Sequence, residues 1–188
     1  LRLAVLDPTE TDEYPALNGA RALADPAAAA GAIVLGGQWA PKPATTAAIR
    51  SSLLTAGRAS TVMFGCHAVG SANSHSSALI ISAADSSATA LTSREVRTWG
   101  LPPNDFPRQV ALHACDTSNL AATTSGEWMS LAPSFLAAGA RDVLTTVYPI
   151  PDLIDQISPL DQAVMAGAPL RTALRTQQLA ALARWNAN

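Results

Sequence analysis

Two side chains able to do chemistry stand where buried strands run out. His67 follows the apolar run Ser60–Cys66, and Cys115 follows Gln109–Ala114. Both runs are nearly continuous in apolar residues, the pattern of strands covered on both faces. In an open parallel sheet, ligands bind beyond the carboxyl ends of the strands, and consecutive strands are commonly neighbours. An imidazole and a thiol at two such ends can meet, and that pairing supplies a nucleophile with its base. The plainer reading of each residue is structural: a cysteine in an apolar strand is usually a small buried hydrophobe, and a lone histidine usually packs or is solvated. Elsewhere, Cys66 alternates to the opposite side of its strand from His67 and reads as a core thiol. His75 lies in the Ser/Asn-rich stretch Ser71–Ser77 and reads as solvated. No Walker loop, Gly-x-Gly-x-x-Gly, His-Glu-x-x-His or Gly-x-Ser-x-Gly occurs, so nucleotide, zinc-protease and serine-hydrolase chemistries lack a motif. No Cys-x-x-Cys spacing offers a zinc or redox site.

The elements that must position these groups alternate between the two periodicities. Leu3–Leu6 is a short strand stopped by Asp7-Pro8, Ala16–Asp25 a helix, and Ala28 onward a low-complexity alanine patch. Ala32–Leu35 is a buried strand, and Thr45–Leu54 a helix with Ile49, Leu53 and Leu54 on one face. Ser60–Cys66 is the next strand, followed by the loop Ala68–Ser71. Ala78–Ser82 is strand-like, and Thr92–Trp99 is a short helix with Glu95 placed for a capping box from Thr92. After the strand Gln109–Ala114 comes a helix, Ser125–Ala138, with Gly139 as its C-cap. Val143–Tyr148 is a strand closed by Pro149 and Pro151, and Asp152–Met165 and Leu170–Trp185 are the final helices. Such alternation favours right-handed crossovers and a mostly parallel sheet within an α/β fold.

Composition limits the partners. The chain has 188 residues, 12 basic and 14 acidic side chains, and a formal charge of −2. That length suits one domain spanning residues 1–188. No basic stripe is present, which argues against nucleic acid as a partner. No apolar run is long enough for a membrane span, and no cationic leader with an apolar core opens the sequence. Two cysteines cannot make a disulfide framework, so a reducing, cytoplasmic setting is expected. Abundant alanine, and a single lysine (Lys42) among the 12 basic residues, point to a GC-rich, bacterial coding sequence. Beginning at Leu1 inside an apolar run, the chain is read as a piece of something longer.

Several segments together resemble the CHAT-domain family of caspase-like (clan CD) cysteine peptidases, relatives of separase. MFGCHAVG (Met63–Gly70) is similar to the family's strand ending in the catalytic histidine, and VALHACDTS (Val110–Ser118) to the strand ending in the nucleophile. The 48 residues between His67 and Cys115 (115 − 67) also agree with caspases, where the histidine lies about 50 residues upstream. SALIIS (Ser77–Ser82) and ALTSREVRTWGL (Ala90–Leu101) resemble its hairpin and short helix. Ser125–Asp152 resembles its Gly-Glu, helix, Ala-Gly-Ala-Arg and strand block, Leu170–Leu182 its closing helix, and LAVLDP (Leu3–Pro8) its opening strand. The likeness spans nearly the whole chain in the expected order.

The resemblance implies a caspase-like three-layer α/β/α sandwich with a mostly parallel central sheet. It implies a cysteine endopeptidase with His67 as base, Cys115 as nucleophile, and a thioester acyl-enzyme. Backbone N–H groups of Cys115 and Ala68 would stabilise the oxyanion. Asp152 matches the separase aspartate that meets a basic P1 side chain; its plainer role is an N-cap after Pro151. His113 stands where related peptidases line the specificity pocket, either as part of that pocket or as a neutral core histidine. Asp116 and Glu127 are candidates either for shaping the cleft or for stabilising a loop. The chain departs from the family at Ala68, where glycine is usual, and at Tyr148, where tryptophan is usual. Neither metal nor organic cofactor is required. The implied partners are a protein or peptide substrate and a regulatory partner or flanking repeat domain. The competing readings are a catalytically silent binding or scaffold module, and a hydrolase or transferase of small amides.

Overall fold

The computed structural model describes residues 1–55, 61–69, 77–101, 106–114, 131–146 and 154–187. Its centre is a sheet of five parallel strands in the order β2-β1-β3-β7-β8. These are β1 (Arg2–Leu6), β2 (Ile33–Leu35), β3 (Thr61–Gly65), β7 (Gln109–His113) and β8 (Asp142–Leu144). A second sheet is antiparallel, ordered β4-β5-β6 from Ala68–Val69, Ala78–Ser82 and Ala88–Thr92. The helices are α1 (Asn18–Ala22), α2 (Ala24–Ala29), α3 (Thr46–Thr55), α4 (Ser93–Thr98), α5 (Leu131–Ala138), α6 (Ile154–Met165) and α7 (Leu170–Asn186).

Strand alternation divides the core into two layers, because successive side chains leave a strand on opposite faces. Val62, Phe64 and Cys66 join Val110, Leu112 and Ala114 on one face, packed with Ile49 and Leu53 of α3, Val96 of α4 and Phe135 of α5. Phe64, Trp99, Phe106 and Phe135 make tilted and edge contacts there, with ring centroids 5.6–6.5 Å apart. Met63 and Ala111 point the other way, into a layer with Leu23, Ala27, Val164, Met165, Leu170 and Ala173 from α1–α2, α6 and α7. The result is a three-layer α/β/α arrangement around a parallel sheet, as the sequence implied.

Several boundaries differ from the sequence expectation. The expected helix Ala16–Asp25 is two short helices separated at Leu23, and the alanine patch belongs to the second. Pro26 causes no break there because it sits in the first turn of α2, where its missing N–H is not needed. Gly31 then takes a left-handed φ of +80°. Ala68–Val69, expected as loop, is the edge strand β4. The capping box on α4 forms as expected: Glu95 N–H donates to Thr92 Oγ1 at 3.2 Å, and Thr92 N–H to Glu95 Oε2 at 2.7 Å.

Gly65 shows why the end of β3 is small. A Cβ there would lie 3.2 Å from both Ala20 Cβ and Leu6 Cδ2, so the close seating of α1 over this strand end leaves a side chain little room.

Candidate functional site

The strand that leads to His67 and the strand that leads to Cys115 are hydrogen-bonded neighbours. β3 and β7 run parallel with Thr61 opposite Gln109 and Gly65 opposite His113. The offset along this ladder is 48 residues (113 − 65). Cys115 itself lies outside the described residues, as do Asp116, Glu127, Tyr148 and Asp152.

His67 is held by the segment that follows β1. Its Nε2 is 2.7 Å from the carbonyl oxygen of Pro15. A carbonyl only accepts, so Nε2 carries the proton and Nδ1 of the neutral ring is left as the basic nitrogen. The Tyr14 ring packs beside the imidazole at 5.5 Å between centroids, tilted by 48°. The segment is itself anchored. Asp7 N–H donates to Gly65 O at 2.7 Å, Thr9 Oγ1 donates to Ile81 O at 2.9 Å, and Ser82 Oγ donates to Pro8 O.

Asp7 is the strained member of this anchor. It is a non-glycine residue with φ +37° and is 1% exposed. Its carboxylate pairs with Arg21, which also reaches Glu10 at 2.6 Å, and its Oδ1 is buried with no hydrogen-bond partner among the described residues. Trp39 Nε1 donates to the Asp7 carbonyl at 2.9 Å, and the Arg21 guanidinium lies 5.8 Å from the Trp39 ring centroid.

Ala68 sits in an extended strand. His67 O accepts from Ile80 N at 2.8 Å, while Ala68 is opposite Leu79. In an antiparallel ladder, bonded and non-bonded pairs alternate, so the Ala68 N–H points away from β5. Its backbone has no left-handed φ, so alanine at this position costs nothing that glycine would relieve.

His113 ends β7 on the α6 face of the sheet. Its side chain is 10% exposed, and Nδ1 lies 2.5 Å from Oδ1 of Asp161, whose side chain is 2% exposed. The approach is close enough for an ion pair, although its direction falls short of a hydrogen bond. Burial pushes the Asp161 carboxyl above its ordinary range, and His113 partly opposes that shift. Of the two readings of His113, the buried one fits its exposure, but its partner is a carboxylate rather than the apolar core. Ala114 is fixed from the other direction, its carbonyl accepting from Thr146 Oγ1. Cys66 is a buried free thiol, 1% exposed, and desolvation pushes its ionisation far up. This agrees with a core role.

Sequence reasoning missed Tyr14, Pro15 and Asp161. Pro15 acts through a carbonyl, which leaves no side-chain signal. Asp161 did carry one: it shares the buried face of α6 with Val164 and Met165, an acid where an apolar residue is expected.

The profile of the CHAT domain matches residues 9–187. The chain belongs to the CHAT-domain family. This CHAT domain is therefore a caspase-like, peptidase-related domain. No curated protein matches the chain. Among the described residues of the CHAT domain, no three His, Cys, Asp or Glu side chains come together in a way that could hold a metal ion. No described helix is long and apolar enough to cross a membrane.

Proposed function

We propose that this CHAT domain is a cysteine endopeptidase whose dyad is His67 and Cys115. The observation that carries the reading is the β3–β7 register. Gly65 and His113 are partners on adjacent parallel strands, and His67 and Cys115 each follow two residues later. Continued without slippage, this offset brings the two reactive residues level at the carboxyl edge of the sheet, where adjacent strands are about 4.8 Å apart. Two-residue alternation also gives His67 the parity of Met63, on the face packed by α6.

In the mechanism this supports, His67 Nδ1 takes the Cys115 thiol proton while Pro15 O holds Nε2–H. The thiolate adds to the peptide carbonyl carbon, and the carbonyl oxygen becomes an oxyanion facing the N–H groups of Cys115 and Ala68. Collapse breaks the C–N bond, and the imidazolium returns its proton to the departing amine. Water, deprotonated by the same Nδ1, then cleaves the thioester and regenerates the thiol. Each oxyanion donor is worth about 3 kcal/mol in such reactions. Asp152 would favour a basic P1 side chain through a charge-assisted bond, with Asp116 shaping the cleft. The substrate is a protein or peptide, and a regulatory partner or flanking repeat domain gates access.

The test is a peptide-library digest read by mass spectrometry, comparing the wild type with Cys115→Ala and His67→Ala. New termini absent from both variants are expected. Identical termini in all three would remove the dyad. No termini in any, with Cys115 alkylating at an ordinary thiol rate, would favour the scaffold reading.

A further inference from the structure

Asp161 is a buried carboxylate in α6, whose other buried described residues, Val164 and Met165, are apolar. Val164 and Met165 of the same helix belong to the core layer that also holds Ala4, Met63 and Ala111 of β1, β3 and β7. A buried charge is costly, and an apolar residue of similar volume commonly does as well or better for stability. Among the described residues, the carboxylate meets His113 Nδ1 at 2.5 Å. That contact joins α6, the helix that follows Asp152 in the chain, to the last residue of β7, two residues before Cys115. On the neighbouring strand's side, Thr146 holds the Ala114 carbonyl. His113 and Ala114, the two residues that precede Cys115 in the sequence, are thus each held by a separate contact.

We propose that Asp161 is a positioning residue of this site, acting through His113 to fix the strand exit that carries Cys115. The inference rests on the peptidase reading and deepens it. Nδ1 of His113 is buried against the carboxylate, so the exposed tenth of the side chain lies on the rest of the ring. Nδ1 faces the carboxylate at ion-pair distance, the placement in which a carboxylate favours the Nδ1–H form of an imidazole. Under this proposal the two described histidines have opposite tautomers: Nε2–H at His67, bonded to Pro15 O, and Nδ1–H at His113, facing Asp161.

The chain has three histidines and two cysteines, which makes both readouts direct. Nitrogen-15 NMR resolves every ring, and with Cys66 buried, iodoacetamide reports on Cys115. In the wild type, His113 is expected in the Nδ1–H form and His67 in the Nε2–H form. Asp161→Leu is expected to melt within a few degrees of wild type while Cys115 alkylation falls about tenfold, since small displacements of a reacting group cost that much or more. Asp161→Asn, which keeps an acceptor oxygen for Nδ1–H, is expected to retain most of the rate. A His113 ring in the Nε2–H form overturns the proposal, as does folded Asp161→Leu alkylating at the wild-type rate. If Asp161→Leu does not fold, the apolar pair His113→Phe with Asp161→Leu replaces it, with the same tenfold loss expected and the same overturning result. His67→Ala, run alongside, separates the two ideas. An unchanged rate there removes the dyad. A slowed rate there, with wild-type behaviour at Asp161, removes only the positioning role.

Discussion

At the scale of single residues, burial decides how each titratable group behaves. Cys66 keeps its proton in the fold because a thiolate there would be stripped of water, with the Asp7 charge adding to the effect. Its folded ionisation is raised, so its contribution to stability is present below the ordinary thiol value of 9.0 and is lost as pH rises above it. Urea unfolding should therefore show stability falling by about 1.4 kcal/mol per pH unit from this group in the alkaline range. Cys66→Ala should flatten that limb. Asp161 is also raised, and for a carboxyl that sign means stability is lost as pH climbs past the ordinary value of 3.8. Asp161→Asn should then gain relative to wild type between pH 3.5 and neutrality, measured by the same unfolding series. A relative loss over that range would show that His113 outweighs desolvation.

At the scale of elements, the β1–α1 connection is the part that holds His67. Arg21 of α1 compensates the buried Asp7, and Asp7 ties the segment to Gly65 at the end of β3. Arg21→Ala leaves that carboxylate uncompensated and should cost about 3 kcal/mol, read as a lower denaturation midpoint. It should also loosen the segment that presents Tyr14 and Pro15 to His67, slowing Cys115 alkylation in the folded protein. Thr92→Ala, by contrast, breaks the α4 capping box and should cost about 1 kcal/mol with no change in that rate. Equal kinetic effects from both variants would mean that general destabilisation, not the β1–α1 connection, governs the thiol.

At the scale of the whole molecule, two core layers flank one sheet and stability is concentrated there. In α7 only Leu170 and Ala173 are buried, whereas Leu179, Leu182 and Trp185 are 56%, 54% and 80% exposed. Leu170→Ala should therefore cost about 2–4 kcal/mol, while removing residues 180–188 should shift the melting temperature little. A large drop on truncation would show that the distal turns of α7 bear on the core after all.

The sequence by itself determined the alternation of strand and helix, because apolar runs and turn residues are local signals. It determined the α4 cap, whose partners are three residues apart, and the candidate pair His67 and Cys115, whose 48-residue spacing equals the β3–β7 offset. It also marked Cys66 as core by strand parity alone. The tertiary structure decided what depends on groups far apart in the chain. Pro15 reaches His67 across 52 residues through a carbonyl that every residue possesses, so no residue type announces it. Asp161 meets His113 across 48 (161 − 113), and only the seating of α6 on β7 turns two solitary ionisable residues into a pair. Patterns of burial are written along the chain; partners are chosen by packing.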